Sequence, residues 1–185
     1  MKNRPDNSKH THIIGISLMA LLPAIALLIP AIPLRGNTVM ELPFLDSNKK
    51  GKVLVFGGFP ECSSICPTSL SEIQQAYKQY KEITNKNDLR ILFLNIKLDT
   101  PEAITRAYAK SFHDDFEGYS LRSSQASHLY KTLALKTFTS ETTSASHKGF
   151  IYLFTTSDNQ SRLERVFNYD TKQEQIIKHL LKKTA

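Results

Sequence analysis

The only two cysteines of the chain, Cys62 and Cys66, stand in the run Glu61-Cys62-Ser63-Ser64-Ile65-Cys66-Pro67. One helical turn would bring their sulfurs together, and a disulfide is feasible if the alpha carbons fall within about 7 Å. Soft thiolates also select copper(I), and two sulfurs with one imidazole make a low-coordinate site, whereas zinc usually takes four ligands. If Pro67 occupies the first turn of a helix, Cys66 lies beside unpaired backbone N–H groups and the positive end of the dipole, which favours a thiolate. The plain alternative is a stabilising disulfide of an exported protein. Such a bridge would close a very short loop and add little through chain entropy, so a reactive pair is the better reading.

His147 is the strongest third ligand. It follows a Thr- and Ser-rich stretch over 136–146 and precedes the apolar run 149–155, which puts it at a sheet end. His10 and His12 precede an apolar segment, while His113, His128 and His179 fall in helical segments, where surface or packing roles are the default.

The elements that must hold these residues follow from periodicity. Residues 52–59 form an apolar run bounded by glycine and proline, as expected of a strand buried on both faces. After the cysteine loop, Leu70, Ile73, Tyr77 and Tyr80 recur at three- and four-residue steps, the period of an amphipathic helix. Residues 89–96 read as a second buried strand, and Thr100-Pro101-Glu102 suggests a helix capped by Thr100, with Pro101 first in the helix, reaching about His113. A short strand over 119–121, a helix over 124–133, a loop over 136–146, a hairpin of 149–155 and 162–167, and a terminal helix over 171–183 complete the order. Alternating strands and helices followed by a hairpin predict an α/β fold, a thioredoxin-like mixed sheet flanked by helices. A connector with one short extended piece occupies 35–50.

Residues 13–34 carry no charge. At about 1.5 Å per helical residue they match a hydrocarbon core of about 30 Å, which suggests one transmembrane helix. Lys2, Arg4 and Lys9 precede it and Arg35 is the close charge after it, so residues 1–12 are expected in the cytoplasm and the domain outside. A cleaved signal peptide is the competing reading, and it exports the domain equally. The 185 residues, less this segment, suit one domain, with 41% hydrophobic and 22% charged content giving material for a core. The net charge of +7 is spread along the chain without aromatic-basic interleaving, so it reads as a solvated basic surface rather than a nucleic-acid site.

Gly51-Lys52, Gly57-Gly58-Phe59, Cys62-x-x-x-Cys66-Pro67-Thr68, Asp99-Thr100-Pro101-Glu102, Phe112-His113 and His147 before an apolar strand stand in a specific order. In these the chain resembles the Sco/SenC family of thioredoxin-fold copper proteins, which assist assembly of the binuclear copper site of cytochrome c oxidase. The resemblance covers most of residues 51–183. It implies a Sco/SenC domain over 51–185, Cys62, Cys66 and His147 as ligands of copper(I), with copper(II) also open, and a copper-site subunit of the oxidase or another copper or thiol protein as partner. It further implies a single-pass protein of a bacterial inner membrane with its domain in the periplasm. The chain departs from the family in having Ser63-Ser64 for Pro-Asp, Asn95-Ile96-Lys97-Leu98 for an acidic segment, and Ser146 for an acid beside the histidine. Fewer carboxylates would make the site more positive, lowering thiol pKa and weakening attraction for a cation. Two other readings stay open: a thiol-disulfide oxidoreductase using Cys62 and Cys66, and a copper- or redox-sensing or purely structural domain.

Overall fold

A computed structural model describes residues 39–46, 48–133, 135–139, 149–158 and 160–182. The apolar segment 13–34 and His147 lie outside the described residues, among which no helix is long and apolar enough to cross a membrane. In chain order the elements are β1 (Val39–Met40), β2 (Gly51–Gly58), α1 (Ile65–Thr84), β3 (Leu89–Asn95), α2 (Glu102–Lys110), β4 (Glu117–Ser120), α3 (Ser123–Leu133), β5 (Ile151–Ser157), β6 (Gln160–Phe167) and α4 (Gln173–Leu180).

The strands form one sheet in the order β1-β6-β5-β2-β3-β4. β2, β3 and β4 run parallel, while β5 joins β2 antiparallel and continues into the β5–β6 hairpin. β2 is central and covered on both sides, so Val53, Leu54, Val55 and Phe56 are all fully buried. Side chains alternate across a strand, which sends Leu54 and Phe56 toward α1, α4 and the end of α2, and Val53 and Val55 toward α3 and Leu42, Phe44 and Leu45. The helical repeat in α1 places Leu70, Ile73, Ala76, Tyr77 and Tyr80 on the first face. Each large apolar side chain so covered is worth roughly 1.5–3 kcal/mol relative to exposure.

Local geometry fixes where β2 begins and α1 ends. A side chain at Gly51 would place its Cβ 2.3 Å from the Asp88 carbonyl oxygen, and the residue has φ +141°, so only glycine fits there. Asn85 closes α1 in the left-handed conformation, its N–H donating to the Lys81 carbonyl at 2.8 Å. From the start of β2, the Lys52 ammonium donates to the carbonyls of Leu180 (2.6 Å) and Lys182 (3.0 Å), which ties the C-terminus of α4 to the sheet.

The expected helix boundaries move in α2 and α4. Pro101, not Thr100, is the cap of α2, because it keeps an extended ψ of 130° and the Thr100 hydroxyl is engaged by the Lys97 carbonyl at 2.9 Å. The same helix stops at Lys110, short of His113. The terminal helix starts at Gln173 because Lys172 is still extended (ψ 152°).

Candidate functional site

The cysteine loop leaves the C-terminal end of β2. The Ile96 N–H donates to the Gly58 carbonyl at 2.8 Å and holds the strand end in the sheet. The Cys62 N–H then donates to the Phe59 carbonyl at 3.1 Å, turning the loop back toward α1. Because α1 begins at Ile65, Cys66 is its second residue and is fully buried, whereas Cys62 remains half-exposed. Gly58 makes room for this: a Cβ there would lie 2.7 Å from the Cys66 sulfur and 3.0 Å from the rings of Phe56 and Phe93.

No disulfide joins the two cysteines. The Cys66 backbone N–H donates to Cys62 Sγ at 3.4 Å. Burial works to raise the Cys62 pKa, but hydrogen bonds from the Cys66 thiol and from the N–H groups of Cys66, Ser64 and Ile65 outweigh it, and the value falls below that of an ordinary thiol. Burial, joined by the hydrogen bond to Cys62, pushes Cys66 far upward despite donation from the Phe59 backbone. This reverses the expectation that the helix N-terminus would make Cys66 the thiolate. Its sulfur is desolvated, and the N–H groups of the first turn serve Cys62 instead.

The charge beside the thiols also differs from expectation. Lys97 does not leave the site with an unopposed positive charge, because its ammonium pairs with the Glu61 carboxylate. That hydrogen bond, stronger than the opposing burial, holds the Glu61 carboxyl below the usual range. The backbone beside Lys97 pairs with residue 138: Leu98 N–H donates to the Phe138 carbonyl (2.8 Å) and Phe138 N–H to the Ile96 carbonyl (3.1 Å). The Phe138 ring meets Phe59 edge-on at 5.0 Å. On the other side of residues 140–148, β5 begins at Ile151, paired with Phe56 near the end of β2.

The other histidines in the described region keep packing roles. His113 is stacked on Phe116 and edge-on to Tyr77, its Nδ1 accepting from the Asp115 N–H. His128 lies 3.4 Å from the Glu41 carbonyl oxygen, and His179 Nδ1 bonds the Gln175 carbonyl of its own helix while packing on Phe167. Among the described residues, no three His, Cys, Asp or Glu side chains gather in a way that could hold a metal ion.

Sequence reasoning passed over Tyr108. This α2 residue packs against the core cluster that contains Cys66, its ring 4.9 Å from Phe93 and 5.4 Å from Phe112. Burial, then the nearness of Cys66 and Cys62, pushes its phenol pKa up to about 12. Its signal was the stripe Thr105, Tyr108, Ala109 and Phe112, whose three- and four-residue steps put all four on one side of α2.

A mixed sheet whose central parallel strand ends in a Cys-x-x-x-Cys turn opening a helix defines a thioredoxin-like dithiol domain. The model of the SCO1/SenC family matches residues 43–185, and the chain belongs to that family. Two solved structures with copper bound share the fold. Bradyrhizobium japonicum ScoI is 25% identical with a TM-score of 0.56, covering 72% of this chain and 85% of that one. Yeast Sco1 is 17% identical with a TM-score of 0.59, covering 82% and 90%. An SCO2-like protein of Rickettsia conorii is 40% identical over 77 residues, 40% of this chain and 35% of the relative. A Stutzerimonas stutzeri protein is 30% identical over 119 residues, 61% of this chain and 58% of that protein. The chain thus spans from about a third to somewhat over half of the curated relatives it matches.

Proposed function

We propose that the domain is a copper(I) metallochaperone that delivers copper to, or prepares, the copper site of cytochrome c oxidase. Copper(I) is its cargo, Cys62 and Cys66 supply two thiolate ligands and His147 supplies an imidazole. The observation that carries this reading is the folding of the two cysteines onto one turn, with Cys66 N–H directed at Cys62 Sγ at 3.4 Å and no disulfide between them. Two soft donors on a strand-to-helix turn suit a soft, low-coordinate ion. Membership of the SCO1/SenC family and copper in the related ScoI and Sco1 structures support the same ion. The apolar segment 13–34 would anchor the chain in a bacterial inner membrane and present the domain in the periplasm.

Anaerobic titration with copper(I) against a competing chelator tests this reading. One ion should bind per chain, with binding abolished in Cys62→Ser and Cys66→Ser and weakened in His147→Ala. Absence of stoichiometric binding by the wild-type chain overturns the reading.

The contrast between the thiols favours a second reading, a thiol-disulfide oxidoreductase. Cys62 is the accessible thiol of lowered pKa and Cys66 the buried one of raised pKa, the usual division between attacking and resolving cysteines. The Cys62 thiolate would attack a partner disulfide and release one partner thiolate. Cys66 would then displace the second, leaving a Cys62–Cys66 disulfide and a partner dithiol reduced by two electrons.

A further inference from the structure

β1 covers only part of the edge of β6. Val39 pairs with Arg162 and Met40 with Ser161, so among the described residues the outer edge of β6 from Leu163 to Phe167 has no strand beside it. Val39 and Val166, 47% and 44% exposed, flank that edge together with the exposed Arg162 and Arg165. A groove of about 530 Å³ opens beside β1, its lining including Met40, Leu42, Pro43 and Leu45 and His128 of α3. Another strand is a poor occupant of this edge. The pairing of β5 with β6 shifts between Leu153 and Phe154, which leaves Glu164 as an extra residue, and Glu164 and Arg165 put charge on the edge; both features oppose strand addition.

Chain length favours a different occupant. Residues 35–38 alone separate the uncharged run 13–34 from Val39. Five Cα steps of about 3.5 Å keep the end of that run within roughly 17 Å of Val39. β4, at the far edge of six strands spaced by about 4.8 Å, lies roughly 24 Å across the sheet from β1. We propose that the β1–β6 edge docks on the surface of the bilayer that holds residues 13–34, where the headgroups are anionic. Val39 and Val166 enter the headgroup layer, and Arg162 and Arg165 meet the lipid phosphates, with Arg35 adding a positive charge in the tether. Among nearby acids, Glu164 accepts from the Thr155 hydroxyl at 2.5 Å, and Glu41 is exposed. With the sheet standing on this edge, the end of β2, three strand spacings from β1, carries the cysteine loop roughly 14 Å above the lipid surface. That height limits partners of the thiols to sites close to the membrane. The inference rests on the reading of residues 13–34 as an anchor.

The test places the full chain in nanodiscs of phosphatidylcholine and phosphatidylglycerol, a fraction of the lipids carrying gadolinium at the headgroup, and records valine and isoleucine methyl spectra. Val39 and Val166 should lose their signals. Ile104, 50% exposed on α2, which packs on β4 at the far edge of the sheet, should keep its own. Arg162→Glu combined with Arg165→Glu changes two exposed side chains, so it should leave the thermal midpoint unchanged and restore both valine signals. Valine signals still lost in that variant overturn the anionic headgroup as the partner. Wild-type valine signals as intense as that of Ile104, in a chain held by the disc, overturn the inference and leave the anchor intact. Loss seen only in discs that hold two chains assigns the edge to a second copy and overturns the inference. A chain that elutes free of the discs overturns the anchor and, with it, the docked edge.

Discussion

The backbone N–H of Cys66 lies 3.4 Å from the sulfur of Cys62, so one cysteine stabilises the other's negative charge while its own thiol is buried. The two thiols therefore titrate in opposite directions. Cys62, lowered, should react with iodoacetamide at neutral pH faster than an unfolded thiol, with a rate midpoint below the ordinary value of about 8.5. The sign follows: a depressed acid contributes stability above its unfolded pKa and loses it as pH falls through the folded one. Cys66 should stay unmodified until the domain unfolds. Mass spectrometry of the alkylated sites across pH checks both, and equal labelling of the two at neutral pH would contradict the geometry.

Gly58→Ala should damage the site from beneath. Its Cβ would fall 2.7 Å from Cys66 Sγ and 3.0 Å from two aromatic rings, all in a packed core. Overpacking of this kind costs roughly 1–3 kcal/mol, to be read by urea denaturation. The displaced Cys66 should become accessible to alkylation in the folded protein.

Lys97→Gln should return the Glu61 carboxyl toward its ordinary titration, followed by the NMR shift of its side chain. Glu61 is depressed first by its hydrogen bond with Lys97. Its contribution is thus present above the unfolded pKa and disappears as pH falls through the folded value, in the acidic range. Because more than half of the Glu61 side chain is exposed, the stability change at neutral pH should stay within about 1 kcal/mol and shrink with added salt.

Lys52→Met should loosen the last helix. The variant keeps the stem but removes donors to the Leu180 and Lys182 carbonyls, a loss of about 1.5–3 kcal/mol before solvent replaces them. Amide exchange at Ile176, Ile177 and Leu180 should accelerate more than exchange in β2.

The order of strands and helices was legible because it rests on local periodicity. Residues 52–56 announced a two-sided strand, and the repeat from Leu70 to Tyr80 announced the face that α1 buries. Boundaries were less legible where a side chain had rival partners. Thr100 has the chemistry of a cap, yet its hydroxyl bonds Lys97, and only the folded turn decides between them.

For the site, the sequence by itself determined the donor types and their place: two thiols one turn apart, between a buried strand and a helix. It could not say which thiol would ionise, because that depends on desolvation, and desolvation depends on Phe56, Phe93 and Gly58 closing around Cys66. Nor could it pair Lys97 with Glu61, 36 positions away, or bring the α2 ring of Tyr108 against Phe93. Residue identity sets what chemistry is available. Burial and the direction of each hydrogen bond set which atom performs it, and both exist only once distant segments have packed together.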